Sequence, residues 1–189
     1  MKISNTSAVI LAGGKSSRMG RDKSQLKIGD TTFSQKLLDD FSQYFENVYL
    51  SVSANSQLSG PGIIHDDKES LGPLSGLMAA IKGTKGDNVF ICATDMPFAD
   101  PEIAVQLVEM MGDFDACLIR RTNGKVETAF SVFSKGILPH LQDELDNGKR
   151  SIMGLVDRIS ARFVDETELD SFSDDSFLNV NTPEDYNRF

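Results

Sequence analysis

The sequence predicts an α/β fold in which a mostly parallel sheet carries one antiparallel hairpin. Strand-like and helix-like segments alternate along most of the 189 residues, which is typical of a sheet covered by helices. Residues 7–12 and 88–93 are short and apolar, as expected of strands buried on both faces. Asn123-Gly124 favours a tight turn, so the strand-like residues 116–121 and 125–133 on either side are expected to form a hairpin.

The remaining elements follow from hydrophobic spacing and from residues that start or stop helices. Further strands are expected over residues 47–53, 63–64, 162–164 and 177–178. Helices are expected over residues 31–45, 73–81, 101–111, 137–145, 151–159 and 183–189. Their predicted N-caps include Asp30 or Thr31, Asp100 and Thr182. Residues 165–175 carry six acids in eleven positions and are expected to form a solvated loop.

Composition excludes several classes of partner. Twenty-eight acids against 19 bases give a net charge of −9, which argues against a basic face for nucleic acid or anionic membranes. The apolar run at residues 8–12 is too short to span a bilayer, and residues 1–7 do not resemble a signal peptide. Two cysteines, Cys92 and Cys117, are too few for a disulfide scaffold. We therefore expect one cytoplasmic domain over residues 1–189, with two core thiols.

The most informative stretch is LAGGKSSRMGRDK at residues 11–23, directly after the first buried strand. Ligands of open α/β sheets bind beyond the carboxyl ends of strands, and Gly13 and Gly14 let the backbone approach anionic oxygens closely. Four basic residues follow within nine positions: Lys15, Arg18, Arg21 and Lys23. This pattern favours a polyphosphate site, and a hydrated surface turn is the alternative. It matches neither the Walker A loop nor the dinucleotide-binding glycine pattern.

Carboxylates follow two other predicted strands. Asp95 comes after residues 88–93, where a hard oxygen ligand suits Mg²⁺ bound together with substrate phosphates. The alternative is that Asp95 caps a turn before Pro97. Asp66 or Asp67, after the strand at 63–64, is placed to bind a base, a ribose or a metal, although a solvated loop explains them equally well. Residues 71–76, LGPLSG, open the next helix, which either faces an anion or simply packs through Gly76.

These motifs together carry a family resemblance. LAGGKSSRMGRDK, GPLSG, TDMPF and the C-terminal NVNTPED occur in this order and resemble the molybdenum cofactor guanylyltransferase family over essentially the whole chain. The first motif is shared loosely with sugar-phosphate nucleotidyltransferases of the same Rossmann-like fold, whereas the combination is more specific. The resemblance implies a three-layer Rossmann-like nucleotidyltransferase fold and transfer of GMP from GTP to molybdopterin, with release of pyrophosphate.

The resemblance also assigns roles to individual residues. It implies nucleotide binding by Leu11, Ala12, Gly13, Gly14, Lys23, Asp66 and Asp95. It implies Mg²⁺ binding by Asp95, catalytic roles for Lys23, Asp95 and Arg18, and a molybdopterin pocket containing Asn179 and Asn181. Two positions depart from the family pattern: Ser53 stands where some relatives have asparagine, and Thr128 where many have proline.

Two alternatives stay open. One is a related enzyme that uses CTP with molybdopterin, or a nucleoside triphosphate with a sugar phosphate. The other is a nucleotide-binding regulator without catalysis. The presence of both Lys23 and Asp95 argues against this alternative. The partners expected are GTP and molybdopterin, and transient contact with cofactor-delivery proteins or molybdoenzymes is left open.

Overall fold

The computed structural model describes residues 1–12, 26–66, 72–170, 172–180 and 183–186. The strands are β1 (Thr6–Leu11), β2 (Lys27–Ile28), β3 (Thr31–Thr32), β4 (Val48–Val52), β5 (Ile63–His65), β6 (Asn88–Ala93), β7 (Ala116–Arg120), β8 (Val126–Ser134) and β9 (Ala161–Asp165). The helices are α1 (Phe33–Phe41), α2 (Pro73–Gly83), α3 (Pro101–Met110), α4 (Leu138–Asp146), α5 (Ile152–Val156) and α6 (Pro183–Tyr186). Short 3-10 helices cover Lys135–Ile137, Glu166–Glu168 and Asp174–Phe177. Over the described residues, none of the helices combines the length and apolar character that crossing a membrane requires.

Seven of the strands form one sheet in the order β5-β4-β1-β6-β8-β7-β9. β1 pairs in parallel with both β4 and β6, and β4 pairs in parallel with β5. β8 runs antiparallel to its neighbours β6 and β7, while β9 lies parallel to β7. The mostly parallel sheet and its antiparallel hairpin are therefore confirmed. β2 and β3 form a separate two-stranded ribbon.

Helices cover both faces of the sheet, because alternate residues of a buried strand point to opposite sides. In β1, Ala8 and Ile10 belong to an apolar cluster that also contains side chains of α1 and α3. Val9 belongs to a second cluster, built with α2, α4 and α5. All three side chains are fully buried, which explains why β1 is apolar throughout. The result is three layers, with helices on either side of the sheet.

Both cysteines lie in the first of these clusters. Cys92 and Cys117 are buried free thiols, as the sequence predicts. Burial raises the pKa of Cys117 to about 11 and also raises the pKa of Cys92. Because the thiolate is the reactive form, both thiols are inert at neutral pH and serve as core side chains.

The first helix differs from its predicted extent at both ends. Residues 31–32 pair with residues 27–28 as a ribbon, so α1 begins two residues later than expected. Its N-cap is Thr32, not residue 30 or 31, and the Thr32 hydroxyl accepts a hydrogen bond from the Gln35 amide at 3.2 Å. The helix ends at Phe41, and the chain beyond it bridges to Ile3. A contact between distant parts of the chain thus ends a helix that local spacing would continue.

Smaller differences concern the other helices. Asp100 caps α3 as predicted, since its carboxylate accepts a hydrogen bond from the Glu102 amide at 2.8 Å. The second helix ends at Gly83, two residues later than expected, and Thr84 is its C-cap. The predicted cap Thr182 and residues 187–189 lie outside the described residues.

Most acids of residues 165–175 are exposed, as predicted, but the segment is more structured than a loop, and the strand predicted at 177–178 is wrong. Asp165 and Glu168 form a reciprocal capping box at a 3-10 helix, and Glu166 bonds to Arg121. Asp174–Phe177 is also a 3-10 helix, in which the Ser173 hydroxyl accepts from the Asp175 amide at 3.3 Å. Several of these acids therefore make specific contacts within the protein, which a reading of charge density alone does not predict.

Candidate active site

The carboxyl ends of β5, β4, β1 and β6 meet at one edge of the sheet. Leu11, the last residue of β1, lies opposite Ser51 of β4 on one side and Ala93 of β6 on the other. Backbone pairing continues past β1, since the Ala12 amide donates to the Ser51 carbonyl at 2.8 Å. The chain passes from β1 outward to β4 and β5, then returns to add β6 on the other side of β1. The strand order therefore reverses between β1 and β6, the position at which open α/β sheets bind ligands.

Asp66 lies at this edge directly after β5. Its amide donates to the Val52 carbonyl at 3.0 Å, which fixes the backbone. Its carboxylate accepts a hydrogen bond from the Ser51 hydroxyl at 3.2 Å. Ser51 is only 1% exposed, so a buried residue of β4 orients the Asp66 side chain through this hydrogen bond. Local sequence patterns did not indicate Ser51, because its role depends on a partner 15 residues away.

Asp95 lies at the same edge, two residues beyond β6. The preceding residue, Thr94, joins β6 to β1, because its amide and its hydroxyl both donate to the Leu11 carbonyl at 3.1 Å. The Met96 amide donates to the Ala93 carbonyl at 3.1 Å, so Asp95 does sit in a turn. The turn and the ligand role are compatible, since the turn presents Asp95 at the end of a buried strand.

The C-terminal segment docks on Asp95. The Val180 amide donates to the Asp95 carbonyl at 2.8 Å, and the Val180 side chain is fully buried. Asn179 therefore lies one residue from this contact, and its side-chain amide donates to the Phe177 carbonyl at 3.3 Å. This hydrogen bond gives Asn179 a local structural role, at a place next to the candidate site.

Packing explains the close approach of α2 to the site. A β-carbon at Gly76 would lie 3.4 Å from the Leu11 side chain, so the absence of a side chain lets the helix pack against the end of β1.

Gly72, the N-cap of α2, has φ +82, and a β-carbon there would lie 3.4 Å from that of Arg150. Arg150 is exposed and is a cation near this edge that the sequence analysis missed.

A charged cluster lies at the same edge, on the antiparallel side. Arg121 follows β7 and bonds to Glu127, Glu166 and Asp174. The Lys125 ammonium also donates to Glu127, at 2.9 Å. We call these five residues the Arg121 cluster. The sequence analysis gave them no role, because the three carboxylates come from different segments of the chain.

Comparison with known proteins identifies the family. The model of the MobA-like NTP transferase domain matches residues 8–162, which include β4, β5, β6 and all but the first two residues of β1. The chain belongs to the MobA-like NTP transferase family.

Relatives of this MobA-like protein match it over most of its length. It is 33% identical to a probable molybdenum cofactor guanylyltransferase of Methanosarcina mazei, over 97% of this chain and 89% of the relative. It is 32% identical to another, from Pelotomaculum thermopropionicum, over 94% of this chain and 88% of the relative. Its fold matches that of molybdopterin-guanine dinucleotide biosynthesis protein A from Archaeoglobus fulgidus, with a TM-score of 0.81 and 21% identity over 96% of this chain and 95% of that one. The three-layer Rossmann-like nucleotidyltransferase fold is confirmed.

In this MobA-like protein, the predicted site residues divide into two groups. The fold brings Leu11, Ala12, Asp66 and Asp95 to one edge of the sheet, with Asn179 beside them. The others lie outside the described residues: Gly13, Gly14, Arg18, Lys23 and Asn181. The roles of the residues in both groups stay predictions.

The described part of this edge of the sheet offers few protein ligands for a metal ion. Among the residues that the structure describes, no three histidine, cysteine or acidic side chains are grouped to hold a metal. Mg²⁺ that arrives with a nucleotide needs only one or two carboxylates, because phosphates and waters complete its coordination. A single carboxylate at Asp95, at the ligand-binding edge, fits that requirement.

Proposed function

We propose that this protein transfers GMP from GTP to molybdopterin, forming molybdopterin guanine dinucleotide and releasing pyrophosphate. The observation that carries the proposal is the near-full-length similarity to relatives named for this activity. The arrangement of Leu11, Asp66 and Asp95 around the strand reversal supports it, because a nucleotide fits that crevice.

The nucleotide is assigned to the β1 side of the crevice. Leu11, Ala12, Gly13 and Gly14 are assigned to the guanine and the phosphates, since glycines permit close approach. Asp66, oriented by Ser51, accepts a hydrogen bond from a ribose hydroxyl or from an N–H of the base. A site built on such bonds rejects the wrong base, which would leave buried polar groups unpaired.

The transfer itself needs positioning and charge neutralisation more than a strong base. A terminal phosphate oxygen of the acceptor attacks the α-phosphorus of GTP. A new phosphorus–oxygen bond forms there, and the bond from the α-phosphorus to the bridging oxygen breaks, so that pyrophosphate leaves. Lys23 offsets the developing negative charge and Arg18 holds the pyrophosphate. Asp95 would hold Mg²⁺, which when bound would neutralise charge on the phosphate oxygens.

The acceptor is assigned to the C-terminal side of the crevice. Asn179 and Asn181 carry amides that can donate to and accept from a pterin edge or a phosphate. Asn179 lies next to the contact between Val180 and Asp95, which brings the acceptor side close to the metal ligand. We expect the protein to act in the cytoplasm, where its two free thiols stay reduced.

Pyrophosphate release tests the reaction, with GTP, Mg²⁺ and molybdopterin as reactants. Release that requires all three supports the proposal, and the Asp95→Asn variant is the matched control that keeps the size of the side chain. Release with a sugar phosphate in place of molybdopterin would contradict the assigned acceptor. Nucleotide binding without any release would leave a regulator as the better interpretation.

Competition binding tests the nucleotide. With Mg²⁺ present, GTP should displace a labelled guanine nucleotide more effectively than CTP or ATP. Tighter binding of CTP would contradict the guanylyltransferase assignment and favour a cytidylyltransferase.

A further inference from the structure

Arg121 joins three segments that are distant in sequence. Its guanidinium bonds to Glu127 of β8 at 3.2 Å, to Glu166 after β9, and to Asp174 in the C-terminal segment. The side chain of Glu127 is 6% exposed, whereas that of Asp174 is 86% exposed. Arg121 is therefore held firmly on the sheet side and reaches outward to the C-terminal segment.

The same guanidinium also lies over two aromatic rings of that segment. Its central carbon is 5.0 Å from the centre of the Phe172 ring and 5.4 Å from that of Phe177. The Phe177 ring packs in turn edge-on against Phe130 of β8, with ring centres 5.2 Å apart. Charge, ring contact and packing thus fix residues 172–177 on the sheet.

This anchored segment leads directly to the acceptor side of the site. The Phe177 carbonyl accepts the hydrogen bond from the Asn179 side chain at 3.3 Å. One residue further, the Val180 amide bonds to the Asp95 carbonyl at 2.8 Å. Phe177 therefore contacts both Arg121 and Asn179 and connects the two residues.

We propose that Arg121 is a positioning residue that fixes residues 172–180 and so places Asn179 for the acceptor. The identity of the acceptor as molybdopterin rests on the proposed function above. Arginine suits this role because its planar fork bonds several carboxylates at once and its face stacks on aromatic rings. A lysine at this position is a point charge that cannot make these contacts together.

The first test measures position directly, by hydrogen–deuterium exchange of the peptide covering residues 172–180. We compare the wild type with Arg121→Met and Arg121→Lys, without substrates. The proposal predicts faster exchange in Arg121→Met and only partial recovery in Arg121→Lys. Exchange equal to the wild type in both variants would overturn it.

The second test separates acceptor binding from the rest of the reaction. Arg121→Met should raise the KM for molybdopterin about five- to tenfold, the effect of one or two hydrogen bonds, with kcat and GTP affinity much less changed. Equal weakening of GTP and molybdopterin binding would show a general loss of structure and would overturn the proposal.

Asp174→Asn is a second, milder variant that tests the proposal if Arg121→Met fails to fold. Its side chain is exposed, so the substitution leaves no unpaired charge in the interior. It should raise the KM for molybdopterin only about two- to threefold, because exposed ion pairs are weak. A KM identical to that of the wild type would contradict a role for this contact.

Arg158→Met is the matched control. Arg158 also bonds two carboxylates, Asp143 at 2.7 Å and Glu144 at 2.5 Å, but it lies after α5. It should lower stability without changing exchange at residues 172–180 or the KM for molybdopterin. If the wild type forms no product with molybdopterin, the proposed function fails, whereas the exchange comparison still decides the role of Arg121.

Discussion

Replacing Ser51 by alanine should weaken GTP binding although Ser51 touches no substrate in our assignment. The Ser51 hydroxyl donates to the Asp66 carboxylate at 3.2 Å, from a position that is 1% exposed. Ser51→Ala removes this donor and leaves Asp66 less well oriented toward the nucleotide.

The size of the effect follows from the geometry. Hydrogen bonds to charged groups contribute about 1.5–3 kcal/mol, and neutral ones about 0.5–1.5 kcal/mol. The distance of 3.2 Å is long for a hydroxyl donor, and Asp66 is only half-buried. We therefore expect a contribution within the range for neutral hydrogen bonds, although the acceptor is a carboxylate. A loss of about 1 kcal/mol raises the Kd for GTP about fivefold.

Calorimetric titration with GTP and Mg²⁺ measures this change, and Ser131→Ala is the control. Ser131 is a fully buried serine of β8 whose hydroxyl donates to the Thr128 carbonyl at 2.9 Å. Both variants should unfold about 2–4 °C lower for each kcal/mol lost, but only Ser51→Ala should bind GTP more weakly. Unchanged affinity in Ser51→Ala, together with a clear loss in Asp66→Asn, would refute the orienting role of Ser51.

Three further predictions follow from the site and its surroundings. Lys23→Ala should fold normally but turn over about 10²–10³ times more slowly, as expected for loss of one electrostatic donor, and near-normal turnover at saturating GTP would contradict this. Asp95→Asn should need more Mg²⁺ for turnover, because the charge that attracts the cation is gone; an unchanged Mg²⁺ titration would leave Asp95 as a turn residue only. Hydrogen bonds from Thr122, and secondarily the Arg121 guanidinium, lower the pKa of Glu166 from 4.5. The resulting stabilisation is present above pH 4.5 and lost as the pH falls through the lowered pKa, so acid titration of unfolding should be shallower in Glu166→Gln.

The sequence predicted those parts of the fold that local residues determine. β6 has the predicted bounds, and the α3 cap at Asp100 is where a capping side chain followed by proline indicated a helix start. The end of α1 was not predictable in this way, because the bridge between Ile3 and Phe45 depends on residues far apart in sequence.

The residues of the candidate site also differ in whether local sequence predicts them. Asp66 and Asp95 were predictable because each follows a short apolar strand, and the carboxyl ends of parallel strands share one edge. Ser51 and Arg121 were not, since their importance comes from partners 15 and up to 53 residues away. No local pattern marks such a residue until the strand order is known.

In the proposed function, the two substrates are recognised by different parts of the fold, as follows from where their assigned residues lie. The nucleotide side is built from β1, β4, β5 and β6, whose parallel pairing also forms the centre of the sheet. The acceptor side depends on residues 172–180, which are held to the sheet edge by Arg121 and by the contact between Val180 and Asp95. Substitutions around Arg121 can therefore alter acceptor binding while the buried strands that support the nucleotide stay unchanged. The contact between Val180 and Asp95 is a separate anchor, because a fully buried side chain and a backbone hydrogen bond of 2.8 Å hold Val180 without Arg121, so the backbone at Asp95 should stay in place when Arg121 is replaced.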